Sequence, residues 1–202
     1  MSFLETMFSL KGKVAAVIGG GGVLAGAMGK GLAQAGADIA ILDLNADSAQ
    51  AMADTMSSLG VKSLAVSVNA TSKEQLQEAE QTIAANLGTV DILINAPGIN
   101  SSTPFFEITE DEYDKIMAVN LKSMFLASQV FGKAMIDSGK PGSIINISSA
   151  SSGPPLSKVF TYSVSKAGVN NLTQYLAREW ATQGVRVNAI APGFFPAEQN
   201  RK

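Results

Sequence analysis

Tyr162-Ser163-Val164-Ser165-Lys166 is the stretch of this chain best equipped for proton chemistry. The chain contains no histidine and no cysteine. That removes the commonest general base, the thiolate nucleophile, disulfides and thiolate metal sites. Acid/base work must fall to carboxylates, lysine or tyrosine, and no metal is expected. On a helix, the i, i+4 spacing of Tyr162 and Lys166 puts phenol and ammonium on one face, about 5–6 Å apart at Cβ. A phenol in water titrates near 10, and a close cation favours its ionised form. Moving it by two units takes roughly 2.7 kcal/mol, within reach of one partly desolvated charge. A tyrosine and a lysine so placed form a general acid/base without histidine.

The elements that must position this pair read as an alternation of short apolar runs and helical periods. Strand-like runs are Val14–Ile18, Ile39–Leu42, Ser63–Val68, Ile92–Ile94, Ser143–Ile147 and Val185–Ile190. They are nearly continuous in Val, Ile, Leu and Ala, as in parallel strands covered on both faces. Helical periods are Leu24–Ala35, Ala46–Leu59, Lys73–Asn86, Glu110–Lys133 and Phe160–Thr182, with Gly36, Gly60, Gly88 and Gly184 where helices stop. Thr109 and Glu112 predict a capping box opening the fourth of these helices. Repeated strand–helix alternation implies right-handed crossovers. The expected fold is therefore a doubly wound Rossmann α/β sheet in three layers with six strands, in one domain over residues 1–202.

Composition fits that reading. With 202 residues, 46% of them apolar and 16% charged, the chain is long enough to bury one sizeable core. A net charge of −2 and scattered basic residues give no reason to expect nucleic acid as a partner. Met1–Leu10 has no basic region and carries Glu5 in its apolar patch, a poor signal peptide, and no apolar run approaches the roughly 20 residues of a membrane span. A cytoplasmic enzyme is expected.

The first strand runs into Gly19-Gly20-Gly21-Gly22 and a helix follows at once. Such a turn lets backbone N–H groups approach an anion at the positive end of the helix dipole. Asp43 ends the second strand, where a carboxylate can accept from an adenine-ribose 2′-hydroxyl and would repel a 2′-phosphate. The expected cofactor is NAD(H) in preference to NADP(H).

These motifs, in this order, resemble the short-chain dehydrogenase/reductase family over essentially the whole chain. The matching residues are the glycine-rich turn at Gly19–Ala25, Asn95-Ala96-Pro97-Gly98 after the fourth strand, Asn120 within Val119-Asn120-Leu121, Ser149 after the fifth strand, Tyr162, Lys166, and Pro192-Gly193 after the sixth. The resemblance implies that Tyr162 exchanges a proton with the substrate oxygen and that Ser149, with Ser148 as the alternative, hydrogen-bonds that oxygen. It implies that Lys166 also binds the nicotinamide ribose and that Asn120 holds a relay water. Further cofactor contacts are expected at Gly19, Gly21, Gly22, Val23, Leu24, Asp43, Asn69, Ala70, Asn95, Ala96, Pro97, Gly98, Pro192 and Gly193. The chain departs from the family pattern with Ile18 for a threonine, Val23 and Ala25 for glycines, Asn69 for an aspartate and Pro97 for an alanine. Val23 is expected to reroute the turn towards Gly21 and Gly22, and the carbonyl of Asn69 to accept from the adenine amino group.

The Gly-Gly-Gly-Gly-Val-Leu and Pro-Gly-Phe-Phe-Pro stretches are similar to a D-mannonate oxidoreductase-like branch, which suggests a sugar acid or polyol as the alcohol/ketone substrate. Ser101, Ser102 and Thr103 are candidates for its hydroxyls and Arg201 for a carboxylate. The resemblance also implies a homodimer or homotetramer built on the two longest helices. Family members continue past Pro-Gly with a lid and a seventh strand, and the segment from Phe194 to Arg201 reads as the start of that lid. Two other readings stay open: a 3-oxoacyl-thioester reductase and a non-catalytic dinucleotide-binding regulator.

Overall fold

A computed structural model describes residues 3–154 and 156–194 of the protein. The expected lid start from Phe195 onward, with Arg201, lies outside the described residues. Six strands form one sheet: β1 Val14–Ile18, β2 Asp38–Asp43, β3 Ser63–Ser67, β4 Ile92–Asn95, β5 Gly142–Ile147 and β6 Val185–Ile190. Their order is β3-β2-β1-β4-β5-β6, and every pairing is parallel. This is the doubly wound Rossmann order, with its switch point between β1 and β4.

Strand residues point alternately to the two faces, and β1 shows how both become core. Val14, Ala16 and Ile18 join one apolar cluster while Ala15 and Val17 join the other. The first cluster takes Leu76, Ala79 and Ile83 from α4 (Lys73–Asn86), Leu126, Phe131 and Met135 from α6 (Ser123–Asp137) and Leu176 from α7 (Phe160–Trp180). The second takes Ala25 and Ala33 from α2 (Val23–Gln34) and Ala49, Ala53 and Met56 from α3 (Ala46–Ser57). Small residues dominate this second face, so α2 and α3 approach the sheet closely.

Local chemistry sets the ends of the elements. The Asn45 side chain caps α3 by accepting from Ser48 N at 3.0 Å, and Ser72 caps α4 by accepting from Gln75 N at 3.3 Å. Gly36, Gly60, Gly88 and Gly184 follow helices with φ between +77° and +108°. A short helix, α1 (Phe3–Phe8), precedes β1 where the sequence predicted no element.

The expected helix over Glu110–Lys133 is present and runs on to Asp137 without a gap. Within it, α5 (Glu110–Met117) passes into α6 through one widened π-turn at Ala118–Lys122. The reason is Asn120. Its buried amide bonds to Ile99 in the β4–α5 loop, and a widened turn brings it there. The capping box at the start of α5 is only half formed. Thr109 accepts from Glu112 N at 3.1 Å, but the Glu112 carboxylate turns to the hydroxyls of Ser101 and Thr103.

Candidate active site

The glycine turn after β1 is shaped by backbone crowding. Gly19 has φ +74°, and a Cβ there would sit 2.9 Å from the Ala96 carbonyl oxygen. A Cβ on Gly21 would lie 2.7 Å from Ser48 Cβ and 2.9 Å from Asp43 Oδ2. No other residue type fits either position without movement. Gly22 is the N-cap of α2 and offers no capping side chain. The exposed N-terminal end of α2 therefore keeps unsatisfied N–H groups, as an anion site requires. Val23 is the first residue of the helix and is 59% exposed. Leu24 is half-buried beside it, Ala25 is buried, and Ile18 belongs to the core rather than to the turn.

Asp43 closes the other wall. Its Oδ2 accepts from Gly21 N and its Oδ1 from Asn45 N, each at 3.0 Å. The carboxylate is thus fixed against the turn while each oxygen keeps a further lone pair. Asn69 and Ala70 follow β3. The Asn69 carbonyl accepts from Thr71 N at 3.0 Å and from Thr71 Oγ1 at 2.8 Å. Two donors fill that oxygen, so the expected contact from its carbonyl to an adenine amino group is replaced by a local turn.

Across the switch point, α7 delivers Tyr162 and Lys166. Lys166 is 3% exposed, and its Nζ donates to the Ile147 carbonyl at 2.8 Å and lies 5.7 Å from the centre of the Tyr162 ring. Burial lowers the lysine pKa from 10.5 to about 8. Tyr162 is half-buried in the first turn of α7. A Cβ built on Gly98 would lie 3.5 Å from Lys166 Nζ and 3.8 Å from Asn120 Oδ1. The loop after β4, the π-turn and α7 therefore converge on one ammonium.

The two adjacent serines after β5 have different jobs. Ser148 is buried and donates to the Lys166 carbonyl at 3.2 Å, which ties β5 to α7. Ser149 is partly exposed, caps the short 3-10 turn Ala150–Ser152 and accepts from Ser151 N at 3.2 Å. Of the two, Ser149 is the one accessible to a substrate. The next residue, Ala150, donates its N–H to the Pro192 carbonyl at 3.0 Å, and this brings Pro192-Gly193 beside it.

Asn95 corrects an expectation. It is fully buried, and its Nδ2 donates to the Met124 carbonyl at 3.1 Å and to Asn146 Oδ1 at 3.2 Å. Asn146 passes the chain on to Thr173 Oγ1 at 3.0 Å. At the end of β4 the side chain is tied to α6 and β5, so it is taken up inside the fold rather than offered to a cofactor. Ala96, Pro97 and Gly98 run from the glycine turn to the Lys166 ammonium, along the cleft that a doubly wound sheet opens at its switch point.

Three residues make contacts that the sequence reading missed. Ser165 donates to the Tyr162 carbonyl at 2.6 Å and accepts from Asn120 Nδ2 at 3.1 Å, which joins the π-turn to the first turn of α7. It lies inside the Tyr-to-Lys motif, the one signal that pointed to it. Ile99 receives both ends of the Asn120 amide, through N at 2.8 Å and O at 2.9 Å. Glu112 accepts from Ser101 Oγ at 2.6 Å and from Thr103 Oγ1 at 2.8 Å. Neither of these two residues had a sequence signal for the contact it makes.

Comparison with known proteins agrees with this geometry. The family model described as short chain dehydrogenase matches residues 13–202. An uncharacterised oxidoreductase of Bacillus subtilis is 38% identical over 95% of this chain and 74% of its own length. The 5-keto-D-gluconate 5-reductase of Escherichia coli is 32% identical over 98% of this chain and 78% of its own. Among solved structures, a proposed D-mannonate oxidoreductase from Haemophilus influenzae with bound NAD superposes with a TM-score of 0.92 at 35% identity, covering 98% of this chain and 76% of that one. A proposed NAD(P)-dependent gluconate 5-dehydrogenase from Beutenbergia cavernae with NADP bound at low occupancy gives 0.88 at 34% identity, over 95% and 76%. With this fold and these relatives, the chain belongs to the short-chain dehydrogenase/reductase family of NAD(P)-dependent alcohol/ketone oxidoreductases, beside a mannonate-oxidoreductase-like branch.

Proposed function

We propose that the protein is an NAD(H)-dependent oxidoreductase that interconverts a secondary alcohol and a ketone on a sugar acid or polyol, with Tyr162 as its acid/base. The observation that carries this reading is the buried Lys166, held on the Ile147 carbonyl 5.7 Å from the Tyr162 ring and under Gly98 and Asn120. A buried ammonium is costly, so a stable fold keeps one where it serves a purpose.

The residues present fit a dinucleotide. The glycine turn leads into the uncapped N-terminal end of α2 and lies against Asp43. Gly19, Gly21, Gly22, Val23 and Leu24 would hold the pyrophosphate, Asp43 the adenine ribose, and Pro97, Gly98, Tyr162, Lys166 and Pro192-Gly193 the nicotinamide end. Bound there, the nicotinamide supplies or accepts the hydride.

In reduction, the Tyr162 hydroxyl donates its proton to the substrate carbonyl oxygen, and in oxidation it takes that proton from the alcohol. Ser149 donates to the same oxygen and fixes its direction. Lys166 stabilises the phenolate left after proton donation. Asn120 would hold a water that relays a proton between Lys166 and solvent. Asp43 favours NAD(H), because its anchored carboxylate would face a 2′-phosphate. Tenfold tighter binding, about 1.4 kcal/mol, is the expected minimum.

The sugar-acid class rests on what similar proteins are named for: gluconate, keto-deoxygluconate and mannonate enzymes. The test is a dehydrogenase assay of the full chain on sugar acids and polyols with each cofactor, together with calorimetric titration of NAD and NADP. Equal cofactor affinities would remove the NAD preference, and turnover confined to unhydroxylated alcohols would remove the substrate class.

A further inference from the structure

Residues 99–103 run between the two ends of the proton-handling machinery. At one end Gly98 lies against the Lys166 ammonium and Ile99 is clamped by Asn120. At the other, Thr103 N donates to the Lys158 carbonyl at 3.0 Å, four residues before Tyr162. This places Ser101 and Thr103, both partly exposed, on the segment that runs from the Lys166 ammonium to the turn before Tyr162.

Both hydroxyls face the same carboxylate. Glu112 Oε1 lies 2.6 Å from Ser101 Oγ and Oε2 lies 2.8 Å from Thr103 Oγ1. An ionised carboxylate can only accept, so each hydroxyl must point its single proton at Glu112. What each hydroxyl has left is lone pairs. Among the described residues no cation lies within ion-pair distance of Glu112, so its negative charge also acts on this segment. A group approaching this segment meets acceptors backed by an anion. Sugar hydroxyls can donate to them, whereas a carboxylate is repelled.

We infer that Glu112 is a positioning residue that turns Ser101 and Thr103 into a hydrogen-bond acceptor wall, which selects the polyhydroxylated part of the substrate and directs any substrate carboxylate away from residues 101–103. This rests on the sugar-acid or polyol reading above and specifies how that site would recognise its substrate.

Two variants separate recognition from simple bracing. E112Q keeps a bond to each hydroxyl, but its amide nitrogen donates to one of them, which frees that hydroxyl's proton to donate elsewhere. E112A removes both bonds. Kinetics on the full chain would be measured with gluconate and xylitol as hydroxylated probes and cyclohexanol as a bare secondary alcohol. The expected result is that E112Q lowers kcat/KM for the hydroxylated probes about fivefold or more relative to cyclohexanol, mainly through KM, the loss expected for about one hydrogen bond. E112A should impair all three, because the loop is then unbraced. If E112Q matches wild type on every probe, or lowers hydroxylated and bare alcohols equally, Glu112 only braces the loop and the wall is overturned. If wild type itself turns over cyclohexanol but neither hydroxylated probe, the substrate class fails, and the wall fails with it. The two failures are read from different enzymes.

Discussion

Tyr162 and Lys166 divide the work in ways that separate measurements can read. Tyr162→Phe removes one oxygen from a half-buried ring and is expected to leave folding and NAD affinity nearly unchanged. Its kcat should fall by about 10²–10⁴, the usual worth of a positioned acid/base group. A variant keeping more than a tenth of wild-type turnover, with chemistry rate-limiting, would exclude the mechanism. Lys166 has a second signature. Its pKa is lowered by burial to about 8, so between about pH 8 and 10.5 the unfolded chain holds a proton that the folded protein has released. Stability rises with pH wherever the unfolded state binds more protons. Relative to Lys166→Met, wild type should therefore gain stability as pH climbs through that window, by about 3 kcal/mol at most, and show no such trend below it. Urea unfolding of both proteins at pH 7 and pH 10 checks the sign.

Among the elements, the π-turn and the glycine turn carry the most consequence. Asn120 spends its amide on the N–H and carbonyl of Ile99 and on Ser165, so three groups lose a partner in Asn120→Ala. Buried polar groups left unpaired cost about 1–3 kcal/mol each. A loss of about 2–4 kcal/mol after partial relaxation is expected, with activity falling because the loop over Lys166 and the first turn of α7 are released together. Chemical denaturation and steady-state kinetics on that variant should both move; unchanged stability would show that the π-turn does not depend on this amide. In Gly19→Ala, a left-handed backbone at φ +74° and a carbonyl oxygen 2.9 Å from the new Cβ act together. The left-handed conformation alone costs about 1–2 kcal/mol. Cofactor binding should suffer more than the melting temperature, because the strain falls in the turn rather than in the core.

For the whole molecule, the two longest helical runs leave one apolar face uncovered. Met117, Leu121, Phe125 and Leu172 line a groove of about 600 Å³ between α5, the π-turn, α6 and α7. Phe125 is 43% and Tyr175 59% exposed. Continuous apolar surface of this kind marks an interaction site. A second copy of the chain is the expected cover, as the family resemblance implied. Light scattering should show a dimer or a larger assembly at micromolar concentration, and a stable monomer would contradict it. Among the described residues, no helix is long and apolar enough to cross a membrane.

Patterns that repeat along the chain were readable without the fold. Runs such as Val14–Ile18 announced buried parallel strands because both faces of those strands are covered, and the helix Lys73–Asn86 has the bounds its periodicity predicted, with Gly88 just past its end. The strand–helix alternation therefore determined the sheet, and i, i+4 spacing placed Tyr162 and Lys166 on one helix face. What the tertiary structure decided are contacts between residues far apart in sequence. The burial of Asn95 inside the fold depends on Asn146, 51 positions away. The widened turn inside the long helix goes with Asn120 reaching back 21 positions to Ile99. The assignment of Ser148 to the Lys166 carbonyl, which leaves Ser149 the more exposed of the pair, appears only when β5 packs on α7. Glu112 looked like half of a capping box, because local spacing favours that bond. Its carboxylate instead meets two hydroxyls that the fold brings within 2.8 Å. Local periodicity carries no information about which of several competing partners a polar group will find, so those choices fall to packing.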